Sequence, residues 1–451
     1  MAQNLVANRQ SLVQCPLCNS EVGTDQLVKG HDLDETVTRL IQGNEPNWKP
    51  DQRICIDCAA KYVEARNKLE QYHPKFLSEG MSILPTPLRV GAVSDLTGRG
   101  ITMAFLDSGF YAHPDLVEPI SRIKKYVNIL NPQARIKELK TPGVSSWHGM
   151  MTSVVAAGNG HLSEGIYKGI ASDAELILIK IGEASRIKHE DIERGLRWVL
   201  KNKDKFNIRI VNISAGGDRE VSYLTDALSQ AAEELVRAGV VVVAASGNSG
   251  DQPNHPVLPP ASSPSVIAVG GLDDKNRLDR RFYSLYRSSY GPTIDGLQKP
   301  EILAPSIWLA APILPGTPTQ EEAELLDELR NAEENQVKII LKEHPGIDAE
   351  LDSMIDQPAY LIRQMVDVKL RNNNVISGNY KHVDGTSFAA PIVSSVIAQM
   401  LEANPNLTPQ RIKRILIDTA KRLPGVEVDR QGWGIVNPAA AVKLAYAFRN
   451  D

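Results

Sequence analysis

Short runs of apolar, β-branched residues recur through the middle of the chain, separated by stretches whose apolar positions follow helical spacing. Ile101–Leu106, Leu176–Ile181, Ile208–Ile213, Val240–Ala244 and Val266–Val269 are continuous enough to be strands buried on both faces, as parallel strands are. Between them, Ile192–Leu200 and Leu224–Val236 carry an apolar stripe suited to a helix lying on a sheet. Strand and helix alternating from Gly100 to about Ala310 predict an α/β fold with a doubly wound, mostly parallel sheet. In such sheets polar functional residues gather at the carboxyl ends of strands.

The rhythm breaks at two places. Residues 1–80 hold every cysteine and a polar helical stretch, Ala59–Tyr72, but little other periodicity, so a small metal-held module is expected there. Residues 81–99, with Ile83-Leu84-Pro85-Thr86-Pro87-Leu88, read as a linker into a body of residues 100–451. Within that body, residues 312–380 read as a mostly helical insertion. Thr319-Gln320-Glu321-Glu322 looks like a capping box. An acidic helix with Leu325, Leu326 and Leu329 follows, and Arg371-Asn372-Asn373-Asn374 reads as a loop. Two further helices are expected, Phe388–Leu401 and Pro409–Lys421.

Composition narrows the class. Of 451 residues, 42% are hydrophobic and 23% charged, which excludes disorder throughout and suits a large core. The net charge of -4, from 50 basic and 54 acidic side chains, gives no global field for holding nucleic acid or anionic lipid. No apolar run is long enough for a membrane span, and Met1–Val13 has no signal-like segment, so a cytoplasmic location is expected. The four cysteines fall in two Cys-x-x-Cys pairs, which suits a metal site in a reducing compartment better than a disulfide framework.

Three polar positions stand at element boundaries. Asp107, in Phe105-Leu106-Asp107-Ser108-Gly109, directly follows a buried strand. His148, in Trp147-His148-Gly149, opens a helix of small and apolar residues. Ser387, in Asp384-Gly385-Thr386-Ser387-Phe388-Ala389-Ala390-Pro391, opens another. Singly, each is ordinary: an Asp after a strand turns or caps, and Gly-Thr-Ser before a helix is an N-cap. Together their chemistry is complementary. A serine hydroxyl needs a neutral imidazole to take its proton. A buried carboxylate fixes that imidazole, and a helix N-terminus supplies donors for an oxyanion.

These motifs, in this order, resemble the subtilisin family of serine peptidases. The resemblance implies a catalytic triad of Asp107, His148 and Ser387 on a subtilisin-type sheet. It makes Asn248, in Ala244-Ala245-Ser246-Gly247-Asn248, the oxyanion-hole asparagine. Ser214-Ala215-Gly216-Gly217 resembles the strand that pairs with an extended peptide substrate, and Ala245, Ser246 and Gly247 belong to the same implied substrate site. Lys299–Pro305 and Gly432–Asn437 extend the likeness, which runs from about Gly100 to Leu444. Three positions depart from the family's usual choice: Met150 after His-Gly, Ala215 in the substrate strand, and Phe388 after the serine. They touch pocket shape and remove no catalytic group. The resemblance implies that calcium can be bound, since family members often bind it, but no acidic loop here is specific enough to name ligands. The 312–380 insertion is either a lid or docking surface or a plain surface elaboration.

Cys15-Pro16-Leu17-Cys18 and Cys55-Ile56-Asp57-Cys58 have the spacing of a closed four-thiolate structural zinc site, as in a zinc ribbon. Basic residues are not clustered around them, which favours a protein-facing module over a nucleic-acid one. The module stands where secreted relatives carry a propeptide, so an activating or targeting protein partner is expected to act through it. The expected activity is endopeptidase cleavage of protein or peptide substrates. Two readings compete: a scaffold that keeps the fold with its chemistry silent or partner-gated, and a nucleic-acid sensor in which the zinc module is primary and the peptidase its effector.

Overall fold

The computed structural model describes residues 12–73, 83–183 and 186–449. Residues 81 and 82 of the expected linker, and most of the leading Met1–Val13 stretch, lie outside them. The chain divides into two units. One runs to Ser82 and also includes Asn276–Arg281; the other comprises Ile83–Lys275 and Phe282–Asp451.

In the first unit, β1 (Leu12–Gln14) and β2 (Glu21–Gly23) form an antiparallel hairpin whose connection carries Cys15 and Cys18. Strand β3 (Leu27–Lys29) leads to helix α1 (Glu35–Asn44), capped by the Asp34 carboxylate on the Thr36 and Val37 amides. Strand β4 (Arg53–Cys55) pairs antiparallel with β3 and runs straight into α2 (Ile56–Tyr72). The unit has more apolar core than its sparse periodicity foretold. Val37 and Ile41, one helical turn apart on α1, meet Leu17, Trp48 and Ile54. Asn276–Arg281 adds polar ties: Arg277 reaches the Glu45 carboxylate at 2.6 Å, and Lys61 lies 3.3 Å from Asp279.

The second unit opens with a short helix, α3 (Thr86–Val90). This corrects the reading of residues 83–99 as a linker. Ile83, Leu84 and Val90 are buried, and Arg89 makes an ion pair with Asp274 that is sealed from water. Pro87 sits in the first turn of α3, where a missing N–H costs nothing, so the proline-rich stretch starts a helix.

Strands β5 (Thr102–Asp107), β6 (Ile123–Asn128), β7 (Glu175–Lys180), β8 (Ile208–Ile213), β9 (Val241–Ala245), β10 (Ile267–Asp273), β11 (Ser284–Leu285) and β12 (Ile302–Pro305) form one sheet. Its order is β11-β10-β9-β8-β5-β7-β6, with β12 also pairing β10; every pairing except β10–β11 is parallel. The five predicted strands are all present. Alternation along them sends side chains to two cores. Met103, Phe105, Leu176, Leu178 and Val243 face the helices α4 (Ser146–Ala157) and the later serine-bearing helix. Ala104, Leu106, Ile177, Ile179 and Val242 face α5 (His189–Phe206) and α6 (Ala227–Arg237). Helix α6 starts later than Leu224 because the Asp226 side chain caps it on the Ser229 amide.

Strand β13 (Leu309–Pro312) precedes the insertion, whose helices are α7 (Pro318–Asn331), α8 (Val337–Glu343), α9 (Ala349–Ser353) and α10 (Ala359–Asn372). They close their own core around Leu325, Leu326, Leu329, Val337, Ile362 and Val366. The expected capping box is displaced: Thr317 is the N-cap and Thr319 lies inside α7. Helix α10 likewise runs to Asn372, into the expected loop. Strands β14 (Val375–Ser377) and β15 (Tyr380–Val383) follow, and β15 pairs antiparallel with β13. Helices α11 (Thr386–Ala403), α12 (Pro409–Thr419) and α13 (Pro438–Ala447) complete the unit. Among the described residues, no helix is long and apolar enough to cross a membrane.

Replacing Arg89 with Ala would break this buried ion pair with Asp274. The expected loss is about 3–5 kcal/mol of stability, read as a lowered denaturation midpoint.

Candidate active site and cysteine cluster

The site is built where strands of the parallel sheet end. Strand β5 delivers Asp107 at its carboxyl end, with the side chain 1% exposed. Helix α4 starts against that end. A Cβ on Gly149 would overlap the Gly109 carbonyl oxygen and press on the Asp107 side chain, so only glycine lets the first turn approach. His148 Nδ1 thereby comes to 2.7 Å from Asp107 Oδ1. The Ser108 amide donates to the same oxygen at 2.7 Å, and Thr152 Oγ1 donates to Oδ2 at 3.1 Å. Burial pushes the His148 pKa down, but the charge of Asp107 and the hydrogen bond to it outweigh burial and raise it above its ordinary value. A carboxylate on Nδ1 holds the proton there and leaves Nε2 as the basic nitrogen of the neutral ring. The side chain keeps 21% exposure.

Ser387 is the second residue of α11, after Gly385 at φ +131, a conformation open to glycine. Its Oγ donates to the Ser214 carbonyl at 3.2 Å, and Ser214 Oγ donates back to the Ser387 carbonyl at 2.7 Å. Ser214 follows β8, so these two bonds tie the strand's continuation to the helix start. Asn248 accepts at Oδ1 from the Thr386 amide and hydroxyl, both at 2.9 Å, which leaves its Nδ2 donors free. Ala245 and Ser246 are buried, Gly247 and Ala215 half-buried, and Gly216 exposed. The predicted residues therefore meet as three linked pairs: Asp107 with His148, Ser387 with Ser214, and Asn248 with Thr386. Ser387 and His148 share no hydrogen bond in this structure. The unusual Met150 is fully buried, and the Phe388 ring lies 5.7 Å from the imidazole. Thr152 escaped the sequence reading. Its position four residues after His148, on the same helix face, was the available signal.

Comparison with known proteins decides what this arrangement belongs to. Residues 98–434 match the model of the subtilase family. The chain belongs to that family. A 354-residue stretch is 31% identical to serine protease AprX of Bacillus subtilis, covering 77% of this chain and 67% of that protein. The major intracellular serine protease of the same organism is 29% identical over 201 residues, 44% of this chain and 58% of that one. Among solved structures, fervidolysin from Fervidobacterium pennivorans, a keratinolytic enzyme related to subtilisin, superposes with a TM-score of 0.53 at 21% identity. It covers 79% of this chain and 45% of its own. A protease from Pseudoalteromonas arctica superposes with a TM-score of 0.54 at 20% identity, covering 84% and 97%. This subtilase is a subtilisin-like serine endopeptidase.

The subtilase also carries a compact sulfur cluster in its first unit. The Sγ atoms of Cys15, Cys18, Cys55 and Cys58 all lie within 4.8 Å of one another. Tetrahedral zinc–sulfur bonds of about 2.3 Å put sulfurs about 3.8 Å apart. Here Cys18 and Cys55 are 3.7 Å apart, and Cys15 and Cys58 are 4.0 Å apart. Two amides aim at sulfur, Cys55 N at Cys15 and Cys58 N at Cys55, each at 3.4 Å. Arg281 Nη2, from the downstream segment of the same unit, lies 3.9 Å from Cys58 Sγ. The donor set and spacing fit a zinc ion.

Protonation of His148 would block any role as a base, so activity is expected to fall as pH drops through its raised pKa. The acid limb of kcat/KM is expected above about 6.5, the unperturbed histidine value. A pH profile on a peptide substrate, compared with Thr152→Val, measures it.

Proposed function

We propose that this subtilase cleaves protein and peptide substrates through an acyl-enzyme, with Ser387 as nucleophile, His148 as general base and acid, and Asp107 as its orienter. The observation that carries the reading is the short His148–Asp107 bond within a family of serine proteases. A rotation about χ1 turns Ser387 Oγ from the Ser214 carbonyl toward His148 Nε2. Oγ then attacks the substrate carbonyl while Nε2 takes its proton. The resulting oxyanion accepts from Asn248 Nδ2 and from the Ser387 backbone N–H, one of the first-turn amides that has no intrahelical partner. His148 returns the proton to the leaving amine, and water releases the acyl group by the same steps in reverse order. Ser214, Ala215 and Gly216 pair with the extended peptide, while Ala245, Ser246 and Gly247 border the pocket for the residue before the scissile bond.

The first unit, in the same proposal, holds structural zinc on Cys15, Cys18, Cys55 and Cys58. Zinc would supply folding energy to that unit and no chemistry to the cleft. A protein partner would activate or target the enzyme through it, in the cytoplasm.

Fluorophosphonate treatment of the full chain should add one adduct by intact mass, absent from Ser387→Ala. No adduct on the wild type would overturn the reading of an open, assembled triad. Asn248→Ala should lower kcat by about 10²–10³-fold with little change in KM. Element analysis should find zinc in the purified chain and lose it in Cys58→Ser. Deleting residues 1–80 should alter folding, activity or substrate choice, and unchanged behaviour would remove the regulatory role.

A further inference from the structure

A second buried histidine–carboxylate pair lies apart from the proposed triad. His189 opens α5 and is 2% exposed; its Nε2 is 2.6 Å from Asp226 Oδ1. Asp226 Oδ2 accepts from the Ser229 amide at 2.8 Å and its hydroxyl at 2.7 Å, which caps α6. Burial pushes the Asp226 pKa up, yet the hydrogen bonds from Ser229 and His189 hold it below the ordinary carboxylate value. With these donors in place, the carboxylate ties the starts of α5 and α6 to each other.

The ring's other edge is not used in the same way. Nδ1 is buried without a hydrogen-bond partner, and the nearest carboxylate oxygen, of Asp218, is 3.9 Å away. What it meets is backbone. A Cβ on Gly217 would collide with Nδ1 and stand 3.0 Å from Cε1. On its other side the Gly217 amide donates to the Pro259 carbonyl at 2.6 Å. The neighbouring Gly216 has open space where a Cβ would go, its nearest neighbour being Leu258 Cβ at 3.9 Å. So Gly217 is packed inward and Gly216 faces out. The segment Ser214–Gly217 is thus pinned at one end by its two bonds to Ser387 and at the other by His189 and Pro259.

We infer that His189 is a positioning residue for substrate: braced by Asp226, its imidazole sets the height of Gly216 and Gly217 and so the register in which an extended peptide pairs with Ser214–Gly217. This rests on the proposed reading of that segment as the substrate strand. The pair takes no part in proton transfer. Its effect is on binding of residues that lie along the strand, and not on the reacting centre.

The test uses the full chain and three readouts: kcat and KM on a peptide with four residues before the scissile bond, hydrolysis of a single-residue ester, and the fluorophosphonate labelling rate of Ser387. His189→Ala should raise KM for the long peptide about tenfold, with kcat within about twofold, because the lost interaction is made equally in the ground and transition states. Ester hydrolysis and labelling should stay unchanged, which a general folding defect would not allow. Gly217→Ala in the wild-type background should raise the same KM, because its Cβ meets Nδ1. In the His189→Ala background the contacts with Nδ1 and Cε1 are gone and only a 3.2 Å approach to the Pro259 carbonyl oxygen remains, so adding Gly217→Ala should cost much less than it does in the wild type. An unchanged long-peptide KM in a labelled His189→Ala, or an equal cost of Gly217→Ala in both backgrounds, overturns the inference alone. A wild type that neither labels nor cleaves overturns the catalytic reading and this inference with it. Should His189→Ala fail to label, Gly217→Ala decides: a raised long-peptide KM with normal labelling supports the inference, and a normal KM overturns it.

Discussion

Taking the Asp107 carboxylate out of water is costly unless donors replace the solvent, and much of the site's geometry follows from supplying them. The Ser108 amide, the Thr152 hydroxyl and the His148 imidazole do so. Two of the three come from α4, so that helix must start against the end of β5, and Gly149 must be small enough to let it. Once α4 is placed, its apolar face (Val154 and Val155) joins one of the two cores of the sheet, beside α11. The helix that orients the imidazole and the helix that carries Ser387 therefore share a core. The sheet itself supplies the rigid frame, since successive residues along β5 anchor opposite faces.

How much of this was readable before the structure depended on how local the signal was. The five buried strands and the motifs around Asp107, His148 and Ser387 are each a few consecutive residues, and their order sufficed to reach the fold. Thr152 was readable in principle from helical spacing. Arg89 and Asp274 were not, because 185 residues separate them and nothing local marks either as buried. The same gap misled the reading of residues 83–99. Pro85 and Pro87 look like linker punctuation, while the burial of Ile83, Leu84 and Val90 is decided by distant chain. Thr317 took the N-cap that Thr319 was expected to hold because Pro318 fits the first helical position. His189 was passed over since a histidine before an amphipathic helix carries no pattern of its own.

The first unit shows how a small core can be supplemented. Its apolar centre is modest, and the cysteine cluster and the Asn276–Arg281 segment both add to it. In the proposed zinc-bound state, four thiolates around a dication would carry a net charge near -2. A guanidinium 3.9 Å from Cys58 Sγ is well placed to offset part of it. That cation enters the unit more than two hundred residues downstream of the cysteines, so cysteine spacing alone could not have indicated it.

The pairing of β13 with β15 has a further consequence. Because Pro312 and Tyr380 are partners in an antiparallel ladder, the helical insertion enters and leaves the unit at one point. Topologically it is an overgrown hairpin turn. Loop-closure entropy grows only with the logarithm of length, so lengthening a tight turn by about four doublings costs about 2.5 kcal/mol. A segment that packs its own leucines and valines can offset that on its own account. The ladder that leads into the Ser387 helix is thus insulated from changes in the length and make-up of the insert.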